Sequence, residues 1–90
     1  MLRSASIRVT GKVQGVFYRH HTNLKAQELG LKGFVQNEPD GSVFIHAQGE
    51  TSQIDLLIAW CKQGPDAARV TAVEVTDAPH AGYEAFDIRR

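Results

Sequence analysis

The residues with the clearest chemical potential stand together at Gln14-Gly15-Val16-Phe17-Tyr18-Arg19, where an alternating segment gives way to a helical one. Glycine has no Cβ, so Gly15 can take a positive φ and let successive backbone N–H groups turn toward one point, forming a concave nest for an anion. A helix starting just beyond it adds unpaired N–H groups and the positive end of its dipole. Arg19 supplies a permanent charge on a planar fork that matches two oxygens of a phosphate. No residue from Gln14 to Arg19 is a Ser, Thr, Asp or Asn. Those are the usual helix caps, so the first-turn donors are expected to be left for a ligand. Taken alone, one glycine and one arginine also fit an ordinary βα turn with a solvated side chain.

Residues along the rest of the chain separate these readings. Gly11, Val13-Gln14-Gly15-Val16, Phe17-Tyr18-Arg19, Leu29-Gly30-Leu31, Gly33-Phe34-Val35, Asn37 and Asp40-Gly41-Ser42-Val43 resemble the acylphosphatase family pattern, in its order and at its spacing. Gly64-Pro65 and Ala68-Arg69-Val70 before Val73-Glu74-Val75 extend the resemblance over nearly the whole chain. Phe34 stands where that family often has tryptophan, and His21 where it often has a bulky apolar residue.

The resemblance implies hydrolysis of the carboxyl–phosphate bond of acyl phosphates to a carboxylate and inorganic phosphate. It implies Arg19 and Asn37 as the catalytic pair, with Arg19 binding phosphate and Asn37 orienting the attacking water. The phosphate would be held along Gln14, Gly15, Val16, Phe17, Tyr18 and Arg19. An acyl phosphate carries a good leaving group, so positioning and charge stabilisation can supply most of what the reaction needs. No carboxylate or histidine of the motif matches the role of a base, and the proton is expected to pass to a substrate oxygen. No metal and no cofactor are expected.

Composition narrows the partners. Ninety residues make one domain, 1–90, small enough that every long apolar side chain is needed in the core. Ten basic and ten acidic residues give zero formal charge, without the electrostatic footprint of a nucleic-acid binder. The single cysteine, Cys61, has no partner for an internal disulfide or a thiolate zinc site. No span approaches the roughly 20 apolar residues that cross a membrane, and Met1–Ser6 lacks the apolar run of a secretion signal. These features predict a soluble, cytoplasmic monomer acting on a small acyl phosphate, with no nucleic acid and no membrane. The chain reads as complete at Arg90, in keeping with a stand-alone enzyme.

The elements that must position the motif follow from periodicity. Residues 6–13 alternate, with Ile7, Val9, Gly11 and Val13 on one face, and predict a first strand. A helix is expected over 20–29, its apolar stripe built on Phe17, Leu24 and Leu31 with Ala26 and Leu29, and closed by Gly30 and Leu31 in a Schellman arrangement. Strands at 33–37 and 43–48 flank the turn Pro39-Asp40-Gly41-Ser42 and make a hairpin, Val43, Ile45 and Ala47 alternating against Phe44, His46 and Gln48. Ser52-Gln53-Ile54-Asp55 reads as a capping box, and Ile54, Leu57, Ile58 and Cys61 follow at i, i+3, i+4 and i+7. Gly64-Pro65 stops that helix. A strand over 70–77, with Val73 and Val75 inward, and a short one over 83–89 complete the chain.

This order predicts an α+β fold, a ferredoxin-like βαββαβ sandwich with two helices on one face of an antiparallel sheet and a short extra C-terminal strand. A right-handed crossover leaves the first two strands parallel with room for another between them. Arg19 and Asn37 then fall at the same edge of the sheet.

The remaining candidates read as structural. His20 and His21 are adjacent, about 100° apart on a helix, and lack the i, i+4 spacing of a ligand pair. His21 is expected at the edge of the apolar stripe, and His46 and His80 at the surface. Cys61 reads as a small buried hydrophobe, and Trp60 as edge packing. Ala67 stands six residues after Cys61 where a tyrosine-phosphatase signature needs arginine. Two other functions fit the fold class. One is a module that recognises phosphate or carbamoyl phosphate without turnover. The other is an RNA-binding domain, to which Lys32-Gly33-Phe34-Val35 bears a passing likeness.

Overall fold

Alternation along the first segment builds the strand on which everything else rests. In the computed structural model, which describes residues 1–89, β1 spans Leu2–Lys12, with Ala5, Ile7 and Val9 fully buried. It begins earlier than periodicity predicts because Leu2 to Ala5 pair with Glu50 to Ala47. The remaining elements are α1 (Tyr18–Glu28), β2 (Lys32–Asn37), β3 (Val43–Glu50), α2 (Thr51–Gln63), β4 (Arg69–Asp77) and β5 (Phe86–Arg89). The sheet order is β4-β1-β3-β2-β5. Strand β3 pairs antiparallel with both β1 and β2, so β1 and β2 are parallel with one strand between them, as the crossover argument requires.

The expected antiparallel sheet is corrected at one edge: β5 runs parallel to β2, pairing Gly33 with Phe86 and Gln36 with Arg89. β4 and β5 lie at opposite edges, so the chain between them crosses the sheet instead of turning back as a hairpin. That crossing covers the face away from the helices. Gln48 acts as a side-chain surrogate for a peptide group there, donating to the Ala81 carbonyl (2.7 Å) and accepting from its N–H. His46 is therefore buried, not at the surface as its alternation suggested. Its ring stacks on Phe34, centroids 6.0 Å apart, and meets Tyr83 at 5.2 Å. His80 is exposed, with Nδ1 3.1 Å from the Ser4 hydroxyl.

The helices share the other face, α1 over β2 and β5 and α2 over β1, β3 and β4. On α2 the apolar stripe is as predicted: Ile54, Leu57 and Cys61 are buried and Ile58 packs against them. Its capping box does not form. The helix starts at Thr51, and Thr51 N–H and Oγ1 both reach the Met1 carbonyl, at 2.9 and 3.0 Å. On α1 the predicted stripe is corrected. Tyr18, Thr22 and Ala26 face the core, while Leu24 and His21 are exposed. Thr22 fits inside because its hydroxyl donates to the Tyr18 carbonyl four residues back (2.8 Å). The exit of α1 is the expected Schellman motif, Leu31 N–H to Ala26 (2.9 Å) and Gly30 N–H to Gln27 (3.1 Å). On edge strand β4, Val73 is half-buried but Val75 is exposed, not inward.

Candidate active site

A β-bulge aims the chain at the site. The register of β1 against β4 shifts between Thr10 and Gly11, where a Cβ on Gly11 would lie 2.1 Å from the Arg69 carbonyl oxygen. Beyond it Val13 turns into the core, and the loop begins.

Within that loop Gly15 (φ 75°) and Phe17 (φ 62°) are both left-handed, with Val16 between them. Alternation of hand is what bends consecutive N–H groups inward. Gly15 was legible as such a position; Phe17 was not, since a bulky residue at positive φ is a strained choice that no residue type announces. Phe17 is also the N-cap of α1, and among the described residues no side chain caps that end. The first-turn N–H groups thus have no side-chain cap, and residues 17–20 line the cavity beside them.

That cavity, about 380 Å³, is lined at the first βα junction by Gly15, Phe17, Arg19 and His20, and across the sheet edge by Asn37. Val13, Tyr18 and Ile88 of β5 complete it. Its size suits a small molecule, near the lower end of the roughly 300–1,000 Å³ usual for such sites. The Arg19 guanidinium donates from Nη1 to the Arg89 carbonyl (3.0 Å), one of the five N–H groups the fork carries. Asn37 ends β2, and its Oδ1 is buried with no hydrogen-bond partner among the described residues. A buried acceptor without a partner is costly, about 1–3 kcal/mol, and is usually retained for a ligand or water.

The other motif residues hold these in place. Gln14 does not line the cavity. Its amide donates to the carbonyls of Glu38 (2.8 Å) and Ser42 (2.9 Å), fastening the loop to the hairpin that carries Asn37. The hairpin is itself closed by Asp40, whose Oδ1 accepts from Ser42 N–H (2.9 Å) and Oγ (2.6 Å); these bonds from Ser42 hold its carboxyl below the usual range. Val16 is buried in the core. Tyr18 is 1% exposed, and its hydroxyl donates to the Cys61 carbonyl (2.8 Å), so burial pushes the phenol far above its usual range. Its ring meets Trp60 at 5.4 Å. Burial likewise pushes the Cys61 thiol up to about 12, as expected of an inert packing group. Thus the side chains of Gln14, Val16 and Tyr18 are engaged within the protein, and of the three only Tyr18 lines the cavity. Ile88 was not foreseen, because only the β2–β5 pairing brings it to the cavity.

Among the described residues no cluster of three or more His, Cys, Asp or Glu is arranged to hold a metal ion, and no helix is long and apolar enough to cross a membrane.

Fold and site define a small α+β protein whose first βα junction sets an uncapped helix start beside a cavity that Arg19 and Asn37 both line. The chain belongs to the acylphosphatase family, whose model matches residues 5–88. It is 52% identical over 82 residues to an acylphosphatase of Acaryochloris marina, covering 91% of this chain and 88% of that one. Its structure is similar to an acylphosphatase from Coxiella burnetii, with TM-score 0.94 and 38% identity over 98% of this chain and 93% of that one. It is also similar to the acylphosphatase from Bacillus subtilis, with TM-score 0.93 and 33% identity over the full length of both.

Proposed function

We propose that Arg19 and the backbone N–H groups from Gly15 to Arg19 grip the phosphoryl group while Asn37 holds the attacking water. The chain is an acylphosphatase, a hydrolase of acyl phosphates, by its family. The reaction adds water across the carboxyl–phosphate bond. The water oxygen bonds to phosphorus, the phosphorus–oxygen bond to the acyl group breaks, and carboxylate and inorganic phosphate leave.

The observation that carries the division of labour is that Asn37 lines the cavity that Arg19 shares, with its Oδ1 engaged by no hydrogen bond among the described residues. An amide oxygen can accept one O–H of a water and leave its lone pair facing phosphorus. The guanidinium and the nest N–H groups stabilise charge on the phosphoryl oxygens as it redistributes in the transition state. With a carboxylate leaving, the water proton can pass to a substrate oxygen, and no protein base is required. The same reading takes residues 1–90 as one domain, working as a cytoplasmic monomer on a small molecule, without metal, cofactor or nucleic acid.

The test is hydrolysis of benzoyl phosphate by Arg19→Ala and Asn37→Ala, with folding checked by circular dichroism. Each is expected to lower kcat/KM by about 10²–10³-fold, the scale of losing one transition-state donor. Asn37→Ala should leave competitive inhibition by inorganic phosphate in place, whereas Arg19→Ala should weaken it. Activity should survive a chelator. Near-native kcat/KM in either folded variant overturns the assignment.

A further inference from the structure

Seven large apolar side chains are left exposed among the described residues, and only Phe17 and Ile88 of these line the cavity of Arg19 and Asn37. Phe17 is 77% exposed although its neighbours Val16 and Tyr18 are 8% and 1% exposed. Its left-handed backbone turns the ring out of the core while the residues on either side remain in it. Ile88 is 40% exposed and comes from the opposite wall, on the strand that pairs with β2. A strained residue with an exposed ring beside a binding cavity is a reason to look for a ligand contact.

We propose that Phe17 and Ile88 form an acyl-group subsite that favours acyl phosphates carrying an apolar, ring-sized acyl group over acetyl phosphate. The inference rests on the phosphate assignment above, because that assignment fixes which end of the substrate points where. With the phosphoryl group held by Arg19 and the loop N–H groups, the acyl carbon must leave along the rest of the cavity. A phosphoryl group fills only part of about 380 Å³, and Phe17, Ile88 and Val13 are the aliphatic and phenyl side chains in the lining. Burying them against an acyl chain removes apolar surface from water on both partners. An acetyl group is too short to cover both.

The experiment compares kcat/KM for acetyl, butanoyl and benzoyl phosphate in the wild type, in Ile88→Thr and in Phe17→Asn. Threonine keeps the β-branched shape of a strand residue, and asparagine tolerates the left-handed backbone of position 17. Differences in intrinsic reactivity cancel when the benzoyl-to-acetyl ratio of each variant is divided by that of the wild type. Ile88→Thr is expected to lower this ratio by about tenfold, the scale of removing one or two methylenes from an apolar pocket, and Phe17→Asn, which removes a whole ring, by at least as much, both mainly through the benzoyl KM. Ratios that match the wild type in both variants, with inorganic phosphate still competing, overturn the subsite and leave the phosphate site standing. Should phosphate compete with no substrate in the wild type, the phosphate assignment falls, and the subsite with it. If Ile88→Thr does not fold, Phe17→Asn and the wild-type acyl series decide the matter: a benzoyl KM no lower than the acetyl KM overturns it.

Discussion

The two helices begin in opposite ways. At α2, Glu50 is extended, and the first residue of the helix, Thr51, donates twice to the Met1 carbonyl; the chain's own amino group meets the Glu50 carboxylate at 2.7 Å. There the first N–H of the helix is taken by protein. At α1 the residue before the helix is a left-handed phenylalanine with no capping bond, and a cavity lined by Arg19 and Asn37 lies beside it. A helix start is an anion site only when nothing inside the protein claims its donors. One junction is thus joined to the N-terminus of the chain, while the other has no side-chain cap and lies beside the cavity.

The contrast can be broken from the α1 side. Phe17→Asp places a carboxylate beside the open helix end, where phosphate should sit, on a residue type that tolerates the left-handed backbone there. Its kcat/KM for benzoyl phosphate is expected to fall by about 10²-fold or more, with stability to urea held or raised by about 0.5–1 kcal/mol. A fully active Phe17→Asp enzyme would mean that the open helix end has no part in binding.

A smaller effect tests the fastening between the loop and the hairpin. Gln14→Ala removes two hydrogen bonds to backbone carbonyls, and urea unfolding should show a loss of about 1–2 kcal/mol. Because that bond pair joins the parts carrying Arg19 and Asn37, kcat should fall as well, by about tenfold. A stability loss with kcat intact would show that the two sides keep their spacing without it.

The least effect is expected at the tied end. Glu50→Gln removes an exposed ion pair, so the change in unfolding free energy should stay below about 0.5 kcal/mol, with kcat/KM for benzoyl phosphate unaltered. A large loss of activity there would erase the distinction between the two junctions.

Much of this was legible in the residues. The order of elements, the parallel placement of β1 and β2, the Schellman exit at Gly30, the stripe of α2 and the convergence of Arg19 with Asn37 follow from periodicity, glycine chemistry and the handedness of crossovers. These are local or topological constraints, and each acts on neighbours in the chain or on a choice between two hands. The capping box at Ser52 misled for the converse reason: a local motif lost to a distant partner, Met1, that reached the helix end first. The α1 stripe misled because Thr22, polar by type, satisfies its hydroxyl on its own helix and can be buried.

By itself, then, the sequence determined an uncapped helix start with a glycine and an arginine, and an asparagine due at the same sheet edge. Only the tertiary structure decided that Phe17 would be left-handed and turned outward, that Gln14 would fasten the hairpin instead of a ligand, and that Ile88 would reach the cavity. Those outcomes depend on contacts between residues far apart in the chain, whose energies are set by which strand lies beside which, and no local pattern encodes that neighbourhood.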